Sequence, residues 1–255
     1  MNVNFVVPVC CYKNEILFQQ TQNRQDFSYF FVLDGVESSV FSDVRSLHNV
    51  NFIPFAKRSG QYHAIYQGLK FLMSYKFGSS GKDELVVICD YDMLPSITQN
   101  IEYIVNLVSL QDKIVIGLNR NKIRSNLRHF CSEFFYTLIS LFLRIFLELK
   151  GIHTGNILSS IRYITSFSAF HYKYLRYVLN CSNFFSIYLF ALLLLDFDRK
   201  NKSFGNKIFF YDLYVGREKI SKSSYNFISL LQLSFYVFKD VINFIKEIYA
   251  FDDLL

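Results

Sequence analysis

The chain has 255 residues, 51% of them hydrophobic and 19% charged, with only 10 Gly and 3 Pro. That length suits one large α/β domain, or a domain plus a small C-terminal extension, and the composition excludes disordered, collagen-like and low-complexity classes. The formal net charge of +6 favours an anionic partner, either a phosphorylated ligand or an acidic membrane face; its cations are scattered and no recognition motif accompanies them, so nucleic acid is not an expected partner.

The opening MNVNFVVPVC lacks a basic region and a small-residue cleavage site, so Asn4 to Val9 reads as a first strand and not as a signal peptide. Phe27 to Leu33 is a second apolar run, ended by Asp34-Gly35, and Val50 to Pro54 a weaker third. Gln61 to Tyr75 places Ala64, Ile65, Leu69, Leu72 and Met73 at helical spacing. The turn-rich loop Phe77 to Asp83 releases a fourth strand, Glu84 to Cys89, apolar enough for the centre of a parallel sheet, and Asp90-Tyr91-Asp92 follows at once. Ile101 to Leu110 reads as a helix and Lys113 to Leu118 as a strand; Asn126 to Leu149, Tyr172 to Leu195 and Tyr225 to Tyr249 read as helical. The longest nearly apolar run, Phe184 to Leu195, falls short of the roughly 20 residues that span a bilayer. Five cysteines (Cys10, Cys11, Cys89, Cys131 and Cys181) without C-x-x-C spacing predict reduced, buried thiols and a cytoplasmic compartment.

Strands alternating with helices predict a mostly parallel sheet, whose ligands sit outside the carboxyl ends of the strands. Pro8 to Glu15, Asp34, Lys57-Arg58 and Asp90/Asp92 all fall on that edge. Two carboxylates one residue apart at a broken strand end can both reach Mg²⁺ or Mn²⁺ while substrate phosphates complete the shell; alone, such a tripeptide is more often a solvated turn. Asp34 can accept from a base N–H or a ribose hydroxyl, or simply close a turn. Lys57, Arg58 and Gly60 lead into a helix N-terminus, where cations and free amides can meet a phosphate. His63, inside that helix, reads as structural. The conjunction carries more weight than any member.

The segments VNFVVPVCCYKNE, FFVLDG, NFIPFAKRSGQYHAIYQGLKFL and ELVVICDYDMLP together resemble the inverting glycosyltransferases of family 2, with the nucleotide-diphospho-sugar transferase fold called GT-A. The resemblance implies a Rossmann-like, mostly parallel sheet flanked by helices over residues 1–215, and a helical C-terminal extension over 216–255. Apart from the resemblance, the Phe-rich stretches Phe134 to Leu149 and Phe184 to Leu195 read first as core, while Arg124, Arg128, Arg199, Lys200, Lys202 and Lys207 nearby suit an interfacial docking of the C-terminal region on anionic lipid. The resemblance also implies that Pro8 and Glu15 flank the nucleotide of a UDP-sugar donor, Asp34 contacts its base, Arg58 lies near its phosphates, and Asp90 and Asp92 serve ribose and metal. Asp92 is the catalytic carboxylate on this reading. Gly35 stands where many members carry a second acidic residue.

A weaker resemblance, through GIHTGNILSSIRY and GREKISKSSYNF, points to the branch that transfers sugars to dolichyl or polyprenyl phosphate. It implies that Arg217 and Lys222 contact a donor diphosphate or an acceptor phosphate, and that His153 acts in the site as an additional metal ligand, although an isolated loop histidine is more often structural. No acidic pair stands in the middle of the chain to act as a general base, only Glu133, Glu148 and Asp196/Asp198, which favours a phosphate acceptor. The implied activity is metal-dependent transfer to a glycan or lipid-linked acceptor in bacterial surface polysaccharide or glycolipid assembly, at the inner face of the plasma membrane. The alternatives are transfer to polyprenyl phosphate and a non-catalytic nucleotide-sugar-binding protein of the same fold.

Overall fold

Three runs of buried, largely β-branched and aromatic residues pair side by side at the start of the chain: β1 (Asn2–Val9), β2 (Phe27–Asp34) and β4 (Glu84–Ile88), with β3 (Val50–Phe55) beside β2. They belong to a computed structural model that describes residues 1–9, 24–36, 49–57, 59–75, 84–119, 126–154, 157–160, 163–180, 187–198, 200–213 and 227–252. With β5 (Ile114–Leu118), β6 (Ile164–His171) and β7 (Ile208–Asp212) they form a seven-stranded sheet in the order β3-β2-β1-β4-β6-β5-β7. β1 pairs in parallel with β2 and with β4, and β2 with β3; β6 runs antiparallel to β4. The architecture is therefore α/β, with a mixed and mostly parallel sheet flanked by helices.

Alternation along β1 and β2 sends Val6, Phe30 and Val32 to one face and Phe5, Phe27, Tyr29 and Phe31 to the other. On the first face lies α1 (Gln61–Tyr75), whose buried Ala64, Ile65, Gly68, Leu69 and Leu72 sit at helical spacing. On the second, Phe5 stacks on Tyr29 at 4.9 Å between ring centres. Arg24 lies over the Phe27 ring and reaches Glu102 of α3 (Ile101–Ser109) at 3.2 Å. The α1 face is the tighter one. A Cβ at Gly68 would come within 2.6 Å of Val6 Cγ1 and 2.7 Å of Val32 Cγ2, closer than side chains pack. Gly68→Ala is therefore expected to lower stability by about 1–3 kcal/mol despite alanine's better helix propensity, read as a lower urea midpoint at unchanged slope. An unchanged or higher midpoint would show that α1 has room to lift.

The chain folds as two compact units: Met1–Gly117 with Thr165–Asn180 and Phe209–Tyr211, and Leu118–Ile164 with Cys181–Ile208 and Asp212–Leu255. In the second, α4 (Asn126–Glu148) packs on α8 (Phe227–Asp252) and on the short α5 (Ile157–Ser160), and α7 (Ile187–Asp196) packs on α8. Leu143, Leu147, Leu193, Phe204 and Phe244 meet around a small apolar cavity there. Among the described residues no helix is long and apolar enough to cross a membrane.

The strands read from apolar runs lie where the sequence predicts them, within one or two residues, but β6 and β7 are additions to that reading. The segment read as helical from Tyr172 to Leu195 opens with one tight turn at Tyr172–Tyr174, continues as α6 (Leu175–Asn180) and resumes in α7, with 181–186 outside the described residues.

Candidate functional site

From β1 the chain steps outward to β2 and β3, then returns to place β4 on β1's other side. The direction of winding thus reverses between β1 and β4, and the crevice outside the carboxyl ends of two such strands is where open α/β sheets bind ligands. Pro8 is buried in β1 and registers with Val32 of β2. Asp34 is the last residue of β2, and Cys89-Asp90 leads out of β4.

At Asp90 the backbone is still extended (φ −67°, ψ 151°), and the Met93 N–H then donates to the Asp90 carbonyl at 3.0 Å, closing a single 3₁₀ turn over Tyr91–Met93. α2 (Leu94–Gln99) follows, its start favoured by Pro95, which has no N–H to leave unpaired in the first turn. Both carboxylates therefore belong to one turn; Asp90 is half-buried and Asp92 exposed. Just beneath them, burial pushes the Cys89 thiol well up, and the charges of Asp90 and Asp92 push it the same way. Two hard carboxylates one residue apart on such a turn are donors that suit Mg²⁺ or Mn²⁺ better than a soft metal, and Cys89 is fully buried.

Asp34 has a different setting. It is 1% exposed, and its carboxylate accepts from the Ser59 N–H at 2.5 Å, the Ser59 hydroxyl at 2.8 Å and the Gly60 N–H at 2.9 Å. Gly60, at φ +96°, takes the left-handed conformation that lets two successive amides converge on one carboxylate, and its carbonyl accepts the Ala64 N–H at 3.0 Å as α1 begins. A negative charge at that point also opposes the positive end of the helix. Gln61, the first residue of α1, donates through Nε2 to Oδ1 of Asp90. One loop, Ser59-Gly60-Gln61, thus ties the end of β2 to the end of β4 across β1. The sequence reading missed Ser59 and Gln61; the available signal was a Ser-Gly pair directly before an amphipathic helix, in register with an acidic strand end.

The other expected residues are placed as follows. Lys57 is exposed in the loop before Ser59. Glu15, Arg58, Arg217 and Lys222 lie outside the described residues. His153 belongs to the second unit, where its N–H donates to the Lys202 carbonyl at 2.8 Å and its carbonyl accepts from Phe204 at 3.1 Å, with the side chain exposed. His63 is exposed on α1, 3.3 Å from Gln67. Of the carboxylates weighed as bases, Asp196 is buried and accepts the Gly205, Lys207 and Ile208 N–H groups, a purely structural use. Asp198 closes a turn over Lys200 and Asn201, whose hydrogen bonds hold its carboxyl below the usual range. Glu148 pairs with Arg144 at 3.7 Å. Among the described residues no three His, Cys, Asp or Glu side chains gather into a complete metal centre. No protein-family model matches the chain, and no curated protein matches it.

Proposed function

We propose that the chain is an inverting glycosyltransferase of the GT-A type, which transfers a sugar from a UDP-sugar to a glycan or lipid-linked acceptor in bacterial surface polysaccharide or glycolipid assembly. The observation that carries the reading is the loop Ser59-Gly60-Gln61, which holds Asp34 and Asp90 on one edge of the sheet at the β1/β4 switch point. Asp90 and Asp92 would hold Mg²⁺ or Mn²⁺, an ion that binds few protein carboxylates and leaves room for diphosphate oxygens. When bound, it supplies positive charge where negative charge builds on the departing nucleoside diphosphate.

The remaining work falls to the chain's own residues. Three donors already occupy Asp34, and a carboxylate offers about four acceptor positions, so one lone pair of Oδ2 is left for a base N–H. Lys57 and Arg58 precede the N-terminus of α1, a combination suited to a phosphate. Gln61 fixes the rotamer of Asp90, so this carboxylate need not be ordered when donor arrives. Pro8 and Glu15 flank the nucleotide on this reading.

The acceptor follows from what Asp196 does. With its carboxylate consumed by three backbone amides, one of the few candidate bases is removed, and an acceptor that needs no strong base, a polyprenyl phosphate, is favoured over a sugar hydroxyl. Thermal-shift measurements with UDP-, GDP-, CMP- and dTDP-sugars, each with and without Mn²⁺, test the reading. At about one hundred times Kd the UDP-sugar with Mn²⁺ should raise Tm by about 5 °C or more, and Mn²⁺-independent or absent stabilisation across the panel would overturn it. Stabilisation without turnover on any acceptor, undecaprenyl phosphate included, would instead identify a binding protein that keeps the fold without the reaction.

A further inference from the structure

α4 carries two apolar stripes where a core-facing helix needs one. Ile139, Leu143 and Leu147 form the buried stripe. A second, Leu138, Leu141, Ile145 and, just past the helix end, Leu149, recurs at three- and four-residue steps and is 48 to 78% exposed. Phe142 of α4 meets Phe238 of α8 at 5.3 Å between ring centres, and Phe238, itself exposed, extends this apolar surface onto the second helix. Isolated exposed leucines are ordinary, but a continuous stripe along one helix that also joins a neighbour is not.

The charges around this surface are mostly of one sign. Arg144, Lys150, Lys239 and Lys246 are exposed on these two helices and at the end of α4. Lys239 and Lys246, seven residues apart, share one side of α8. Among the described residues of this face the exposed carboxylate is Glu148, which Arg144 already pairs. We propose that this face of the second unit docks in the plane of an anionic bilayer surface, with Leu141 and Ile145 inserted at the acyl boundary and Lys239 and Lys246 against lipid phosphates. Aliphatic and aromatic side chains on one face with Lys and Arg at its border is the composition of an interfacial helix. A second copy of the chain fits less well, because a two-fold interface sets a patch against itself and would bring Lys150, Lys239 and Lys246 towards their own counterparts. Neither helix is apolar enough to cross the bilayer, so the contact is interfacial. The inference is independent of the glycosyltransferase reading, since it uses no residue of that site.

Co-sedimentation of the full chain with vesicles tests it. The protein should pellet with phosphatidylcholine vesicles containing about one third phosphatidylglycerol, and much less with phosphatidylcholine alone or in high salt. Leu141→Asp with Ile145→Asp should abolish pelleting while leaving the melting temperature unchanged. Lys239→Gln with Lys246→Gln, which disturbs no packing, should lower the partition coefficient by about thirtyfold on anionic vesicles. The proposal is overturned if the chain ignores anionic vesicles, if either double variant partitions as the parent does, or if light scattering shows a dimer that the Leu141/Ile145 variant dissociates.

Discussion

Asp92→Asn is expected to lose about a hundredfold to a thousandfold in Mn²⁺-dependent donor consumption, on the order of 3–4 kcal/mol of transition-state stabilisation, with unfolding free energy within about 0.5 kcal/mol of the parent. The two halves of that expectation have separate causes. Asp92 is exposed on a one-turn segment, so its removal strands no buried donor. Its charge nevertheless stands beside Asp90 on the turn that leaves the central strand, and the amide that replaces it is a poor ligand for a hard cation. Asp90→Asn should differ in kind: it also weakens the hydrogen bond from Gln61, one to a charged acceptor worth about 1.5–3 kcal/mol, and so should lower the urea midpoint as well as the rate. Donor-consumption assays on EDTA-washed protein with Mn²⁺ restored distinguish these cases. An Asp92→Asn variant as active as the parent would remove the metal from the reaction.

The second large effect falls on the fold. Asp34→Ala leaves the Ser59 N–H, the Ser59 hydroxyl and the Gly60 N–H without their shared acceptor, next to a position that is 1% exposed. Ser59 is exposed and Gly60 half-buried, so water takes up part of what these donors lose; with bonds to a charged acceptor worth about 1.5–3 kcal/mol each and the sum well below additive, a loss of about 2–3 kcal/mol is expected. Asp34→Asn keeps one acceptor oxygen but loses the charge that faces the start of α1, and should cost about half as much. Urea unfolding of the two variants measures this. If Asp34 served ligand binding alone, both would unfold at the parent's midpoint; if it holds the loop, both donor affinity and stability fall, because α1's N-terminus and Gln61 are displaced together.

These two carboxylates show how differently site residues register in a sequence. Asp-Tyr-Asp is conspicuous because a fully apolar run ends at it, and a parallel strand buried on both faces must be such a run. The same reasoning located β1, β2 and β4 and therefore the edge that carries the candidate site. It failed at β6, where Thr165, Ser166 and Ser168 interrupt the apolar pattern; the buried Thr165 finds its partner far along the chain, donating to the Gly117 carbonyl 48 residues away. It failed also at β7, a short half-buried strand at the sheet's edge, whose pattern does not differ from that of a loop.

Asp34 and Asp196 carried no such distinction in one dimension: each is an aspartate at the end of an apolar segment, open to reading as a turn, a ligand or a base. Local order along the chain determined the α/β class, the parallel strands nearest the N-terminus, the amphipathic helices and the position of the paired carboxylates, because apolar periodicity and strand-breaking residues act over a few residues. Tertiary structure alone decided that Asp34 anchors the loop into α1, that Gln61 reaches Asp90, that Asp196 is spent on three amides, and that α4 exposes a second apolar stripe. Each of those depends on which groups meet across 9 to 29 residues or more of chain, and hydrogen bonding and burial are properties of that meeting and not of the residue type.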